Sequence, residues 1–403
     1  MDPITSLSAQ EIKDSRGTPT IEVVLSTAQH TARAAVPSGE SAGSHEAVEL
    51  RDADGRGVNR ALAVIETVVT PAIIGQSPEQ KKIDEILRQL DGTSNKSKLG
   101  GNVTIGVSMA AARLAALEKN LPLWRLISEE NQTKPVVPAL FMNLINGGVH
   151  GNGNFHLPFQ EYMLVLTAAD PRRAYETGAK IFAALGESVR AAYGECPLGD
   201  EGGYSPPVAT IDEPFQLLER ARGGAAETFL AIDAAASEFY QNGRYTLFNK
   251  TYTGDDLLFL YKELVKKFPL RSIEDPFFED DAAEFKLLND ELPEQILIVG
   301  DDLTVTNPRR LENFVKDKTL NAVIIKPNQV GTLTETYEAV KLAHKAGWKC
   351  IVSHRSGDTL DDFIADLAVG LGVYGLKAGS PLQPERKAKY DRLIEIYEKE
   401  MVG

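Results

Sequence analysis

The chain has 403 residues, 43% of them apolar and 25% charged, an ordinary soluble globular composition with room for two or three domains. Forty-three basic against fifty-seven acidic side chains leave a formal charge of −14, which argues against nucleic acid or anionic lipid as a partner but leaves open a local basic pocket for a small anion. Cys196 and Cys350 form neither a CxxC pair nor a disulfide framework, the opening MDPITSLSAQE lacks a basic segment followed by an apolar one, and no apolar run approaches the ~20 residues of a membrane helix, so a cytoplasmic protein without a membrane span is expected.

The first ~130 residues read as mixed α and β. TIEVVL (20–25) is strand-like and TARAAV (31–36) repeats that character after the polar turn STAQH, which predicts two antiparallel strands. PSGESAGSHE (37–46) has almost nothing to bury and is expected to be a mobile loop, whereas VSMAAARLAALEKN (107–120) is rich in helix formers. From Pro135 onward short apolar runs alternate with amphipathic stretches: VVPALFMNLI, QEYMLVL, TFLAID, LRSIED, ILIVGDD, AVIIKPN, CIVSHRSG and VYGLKAG. Among the stretches between them, Asn307 is placed to cap a helix that Pro308 opens and that shows Leu311, Phe314 and Val315 on one face; another shows Leu333, Tyr337 and Val340 and stops at Gly347. Strand then helix, repeated, is the arithmetic of a (β/α)8 barrel, typically about 250 residues. A doubly wound open sheet is the alternative, but neither a GxGxxG nor a P-loop pattern follows a strand. The fold expected is therefore α/β, with a smaller α+β domain over residues 1–132 packed directly on a barrel over 133–403.

Six of the late runs end in a chemically specific polar residue: Asp233, Glu274, Asp301, Lys326, His354 and Lys377. In a barrel these positions converge on the C-terminal rim, where active sites of such barrels lie. Asp233, Glu274 and Asp301 would supply carboxylate oxygens without His or Cys beside them, a donor set for Mg²⁺ or Mn²⁺ rather than zinc; singly, each could equally be a helix cap. Neighbouring Asp275 and Asp302 are better placed as caps or supports. Lys326 ends a run that reads as a strand buried on both faces, so it either snorkels to water or works there. A lysine beside a second cation and a bound metal is expected to have its pKa lowered toward the range of a base. HRSG (354–357) brings imidazole, guanidinium and hydroxyl to one strand end, suited to a phosphorylated anion. Upstream, GDEGG sets Asp200 and Glu201 between glycines, and NGGVHGNGNFHLPFQE offers His150, His156, Gln160 and Glu161 around a glycine-rich loop.

The strings DSRGTPTIEV, VPSGESAG, LRDAD, SKLGGN, FMNLINGG, QEYM, GDEGG, AIDAAASEF, SIEDPF, DDLTVTNP, IIKPNQVGT, VSHRSGDT, FIADL and LKAGSP occur in this order, and through them the chain resembles the enolase family over nearly its whole length. The resemblance implies a barrel of the enolase kind and Mg²⁺-dependent reversible dehydration of 2-phospho-D-glycerate to phosphoenolpyruvate by a hydro-lyase of glycolysis and gluconeogenesis. A Lys or His base working beside Mg²⁺ is a known pattern of such sites, not something spacing reveals. By the same resemblance Lys326 is the base and Glu201 the acid, kept protonated by its neighbour Glu161. Asp233, Glu274 and Asp301 hold the first of two Mg²⁺ ions, and Ser41 in the lid loop joins the second, which arrives with substrate. Arg355 and Ser356 contact the phosphate, Lys377 faces the carboxylate, and Gln160, His354 and His150 are polar neighbours. The chain is longer than the usual pattern between His150 and Gln160, which leaves His150 and His156 both open as the substrate-facing residue. LKAGSP replaces the commoner KTGAP. The family also implies a homodimer or higher homo-oligomer.

Overall fold

The computed structural model describes residues 1–39, 45–151 and 157–401. Strands β1 (Ser6–Lys13), β2 (Pro19–Ser26) and β3 (Thr31–Ala35) form an antiparallel sheet in that order, with Val24 opposite Ser8 and Val23 opposite Ala34. β2 and β3 are the two strands predicted. β1 buries only Leu7 of its eight residues, so it offers no period-2 pattern to read. Ile21, Val23 and Leu25 are fully buried, and the helix Gly101–Glu118 packs on them so closely that a Cβ on Gly106 would stand 2.8 Å from Val23 Cγ2. That helix is apolar nearly all round because its far side meets the second domain, where Ser108 Oγ accepts the amide of Leu333 at 3.1 Å.

Eight strands close a barrel: β4 (Ala139–Asn146), β5 (Glu161–Leu166), β6 (Thr228–Asp233), β7 (Leu270–Glu274), β8 (Leu297–Gly300), β9 (Ala322–Ile325), β10 (Lys349–Ser353) and β11 (Gly375–Lys377). They are the eight apolar runs of the sequence, in order, and β11 closes the ring by pairing Gly375 with Ala139. Phe141, Val165, Ala231, Val299, Ile324 and Ile351 belong to the cluster that fills the interior. Asn307 accepts the amide of Arg309 at 3.0 Å and so caps the helix Pro308–Asp317, as its position predicts.

One strand departs from strict alternation. β5 follows β4 without an intervening α-helix and runs antiparallel to both β4 and β6; two helices, Pro171–Tyr193 and Glu213–Arg222, follow it. A reversed strand brings its first residue, not its last, to the rim where its neighbours end. Glu161 therefore lies in register with Asn146 and Asp233.

The two domains are stitched at that same rim. Ser38 and Gly357 exchange backbone hydrogen bonds of 2.8 and 2.9 Å. Arg113 of the helix Gly101–Glu118 holds Asp361 through two nitrogens at 2.6 and 2.9 Å and reaches Asp362 at 2.7 Å. Among the described residues no helix is long and apolar enough to cross a membrane.

Candidate active site

Asp233, Glu274 and Lys377 are the last residues of β6, β7 and β11, while Asp301, Lys326 and His354 directly follow β8, β9 and β10. All six predicted strand-end groups thus reach one rim. There Lys377 Nζ lies 3.1 Å from Asp233, 2.8 Å from Glu274 and 3.1 Å from Glu161. Lys326 Nζ contacts Asp301 Oδ2, and Gln329 Nε2 donates to Asp301 Oδ1 at 2.8 Å. A cavity of about 510 Å³ opens over this cluster, lined by His150, Gln160, Glu161, Glu201, Asp233, Asp301, Lys326, His354, Arg355, Ser356 and Lys377. Glu274 lies behind Lys377 and does not line it. Asp275 supports the loop after β8 by accepting the amides of Asp301 at 2.9 Å and Asp302 at 2.8 Å, the supporting role its position suggested.

The electrostatics follow from crowding. Burial, then the charge of Asp233, drives the Glu274 carboxyl well above its usual range. Burial alone would lower Lys326, but the Asp301 carboxylate outweighs it and the ammonium is held above its ordinary pKa. The lowering expected from the sequence was for a lysine beside a bound metal; here the neighbour that decides the direction is the Asp301 carboxylate. Asp233, Glu274 and Asp301 offer only hard oxygen donors, and the positive charge they meet comes from two ammonium groups, so a divalent cation suits their chemistry. Among the described residues the groups whose ligand atoms come within 4.8 Å of one another are Asp275, Asp301 and Asp302 and, separately, Glu161, Glu201 and His354; the expected set of Asp233, Glu274 and Asp301 is not among them.

Glu201 sits in the loop beside β4, tied there by the amide of Tyr204 donating to Leu144 O at 2.9 Å. Asn143, the polar residue within the apolar run of β4, donates to Glu201 Oε2 at 2.8 Å, and His354 Nε2 lies 3.5 Å from Oε1. Burial, then the charge of Glu201, raises Glu161 to about 8. Burial would raise Glu201 too, but His354, His150, Arg386 and Lys377 around it outweigh that and hold it low. The two carboxyls do form the expected pair, their oxygens within 4.8 Å, with Glu161 raised and Glu201 lowered. His150 faces Asp200, its Nδ1 3.9 Å from Oδ2, and is raised: burial opposes, and Asp200 prevails.

On the other side, both terminal nitrogens of Arg355 meet Glu46, at 2.8 and 3.1 Å, and Arg16 reaches Ser356 Oγ at 3.4 Å. Ser41 and His156 lie outside the described residues, as does half of the predicted lid loop, residues 40–44. Sequence reasoning missed Asn143, Gln329, Glu46 and Arg386. Only Asn143 left a signal, a polar residue inside a buried strand; the others belong to segments whose polarity is ordinary for a surface.

Profiles of known families match this chain twice: "Enolase, N-terminal domain" over residues 4–127 and "Enolase, C-terminal TIM barrel domain" over 134–402. The chain belongs to the enolase family. Curated relatives agree along the whole length. The enolase of Methanopyrus kandleri is 46% identical over 99% of this chain and 96% of its own, that of Thermococcus gammatolerans 44% over 99% and 95%, and enolase B of Dictyostelium discoideum 43% over 98% and 94%. The reaction of this chain is accordingly that of the family, dehydration of 2-phosphoglycerate to phosphoenolpyruvate by a hydro-lyase. The family implies a divalent metal, and the rim has acidic clusters that could hold one.

Proposed function

We propose that Lys326 removes the C2 proton of 2-phosphoglycerate and that Glu201 delivers a proton to the departing C3 hydroxyl. The observation that carries this reading is placement: Lys326 enters the cavity from β9 and Glu201 from the loop beside β4, with Lys377 of β11 between them. A base and an acid so separated can address adjacent carbons from two sides. The C2 proton lies next to a carboxylate that is already charged, so its removal needs cations at that carboxylate, and Lys377 is one. Asp233, Glu274 and Asp301 would hold the first of two Mg²⁺ ions, and Ser41 would join the second. Bound there, Mg²⁺ would act as a Lewis acid on the substrate carboxylate and relieve Lys326 of its Asp301 partner. Glu161, which is raised, would pass its proton to Glu201, and Glu201 would deliver it to the oxygen of the C3 hydroxyl, which leaves as water. Arg355 and Ser356 receive the phosphate, Arg355 exchanging contacts with Glu46, while His150, Gln160 and His354 complete the polar wall.

The test is production of phosphoenolpyruvate from 2-phosphoglycerate by the purified protein, with Mg²⁺ and after chelation. Turnover is expected only with the metal, and Lys326→Ala should abolish it, by about 10²–10⁴-fold, while folding survives. Turnover by Lys326→Ala at the unsubstituted rate would remove Lys326 as the base. The same reading includes a cytoplasmic setting, in keeping with two free thiols, and a homodimer or larger homo-oligomer, to be measured by sedimentation.

A further inference from the structure

Arg386 is fully buried in the helix Pro384–Glu395, and the reaction does not require it to touch substrate. Its guanidinium spans three consecutive residues of the phosphate side: NH1 meets His354 Nδ1 at 2.6 Å and the carbonyl of Arg355, and NH2 donates to the carbonyl of Ser356 at 2.7 Å. Nε donates to Gln383 at 3.2 Å, and Asp358 Oδ2 lies 3.4 Å from NH1. A guanidinium has donors only and keeps its proton, so the histidine nitrogen it reaches must be an acceptor. The imidazole proton is thereby forced onto Nε2, which faces Glu201 Oε1 at 3.5 Å. Gly379, whose φ is +77°, packs against both side chains: a Cβ there would stand 3.0 Å from His354 Cε1 and 2.9 Å from Arg386 Cδ.

We propose that Arg386 is a positioning residue that holds His354 as a neutral imidazole protonated at Nε2, whose N–H faces Glu201 and cannot take a proton from it. A second proton on Nδ1 would set N–H against N–H. Of the other charges bearing on the ring, Lys377 from β11 and Lys326 from β9 also oppose an imidazolium and Glu201 favours it, and an oxygen of Glu161 from β5 lies within 4.8 Å of a ring nitrogen. With His354 closed as a proton sink, a proton passing through Glu201 toward the substrate oxygen is not lost to the imidazole. This last step rests on Glu201 being the acid; the tautomer does not.

The experiment reads both separately. Long-range ¹H–¹⁵N spectra of the intact protein, with His354 assigned by its loss in His354→Gln, should show an unprotonated Nδ1 and a protonated Nε2 that do not titrate from pH 6 to 8. Arg386→Lys, still donor-only, should keep that tautomer. Arg386→Gln, whose amide can accept, should release it and lower kcat about 10–100-fold with a smaller change in KM. A native His354 protonated at Nδ1, or doubly protonated, overturns the proposal whether or not the variants fold. A Gln variant that releases the tautomer at full kcat overturns the catalytic half, while isotope exchange at C2 in Glu201→Gln decides the acid independently.

Discussion

The carboxylates at the barrel rim and those at the domain junction are both buried but differently served. Asp361 at the junction accepts two nitrogens of Arg113 and the amides of Ala35 and Phe363, each at 2.9 Å, and Arg113 outweighs burial to hold it low. At the rim one ammonium, Lys377, serves Glu161, Asp233 and Glu274 together, and Glu274 is driven high. Where structure is wanted, each lone pair has its donor. Where chemistry is wanted, negative charge is left in excess, which destabilises the site and prepares it for a cation.

The largest effect expected from that contrast is at Glu201. Glu201→Gln keeps an acceptor for Asn143 but has no proton to give, so dehydration should fall by about 10²–10⁴-fold while exchange of the C2 proton with solvent, followed by deuterium incorporation, persists. Equal loss of both would reject the division of labour between Lys326 and Glu201.

Next come paired substitutions, one in each region. Arg113→Met leaves Asp361 buried without its cation and should cost about 3 kcal/mol in chemical denaturation, with kcat close to native. Glu274→Gln should instead leave the melting temperature of chelated protein unchanged or higher, since the group it replaces is already driven toward its neutral form. What it should lose is the rise in melting temperature that Mg²⁺ gives the unsubstituted protein. A large destabilisation by Glu274→Gln in chelator would mean that the rim is built like the junction after all.

The same distinction explains what could be read from the sequence. All eight barrel strands were legible because strands buried on both faces are continuous apolar runs, and the polar residue that breaks each of the last six marks the rim. The direction of β5 was not, since an apolar run looks alike in both senses; only the reversal accounts for Glu161 standing at the start of its strand and yet in the site. β1 was illegible because Leu7 is its one buried side chain. The acids and lysines of the rim could be named from their positions, but their protonation could not. That Lys326 and Glu161 are both raised follows from burial and from which charge lies beside which group, a matter of ångströms that spacing along the chain does not carry. Arg386 was hidden for the same reason: in PERKAKY it is one more cation on an amphipathic helix, and only its approach to His354 sets it apart.

Asp84 is the intermediate case and gives the smallest expected effect. It is a junction carboxylate, fully buried, yet its partners are neutral: Gln80 Nε2 and the amide of Thr334, the latter at 2.8 Å, where it caps the helix Leu333–Lys345. Burial raises it from 3.8 to about 6. A carboxyl raised in the fold is most favourable below its unfolded pKa, and that contribution is lost as pH climbs through the folded value, here between about 4 and 6. At pH 7 the loss amounts to roughly 1–3 kcal/mol, so Asp84→Asn, uncharged throughout, should be the more stable protein at pH 7–8, with an advantage that shrinks to nothing toward pH 4. Urea denaturation of both proteins across that range measures it. Parallel curves at every pH would show that Asp84 stays charged at no cost, and that a helix N-terminus can serve a buried carboxylate as well as Arg113 does.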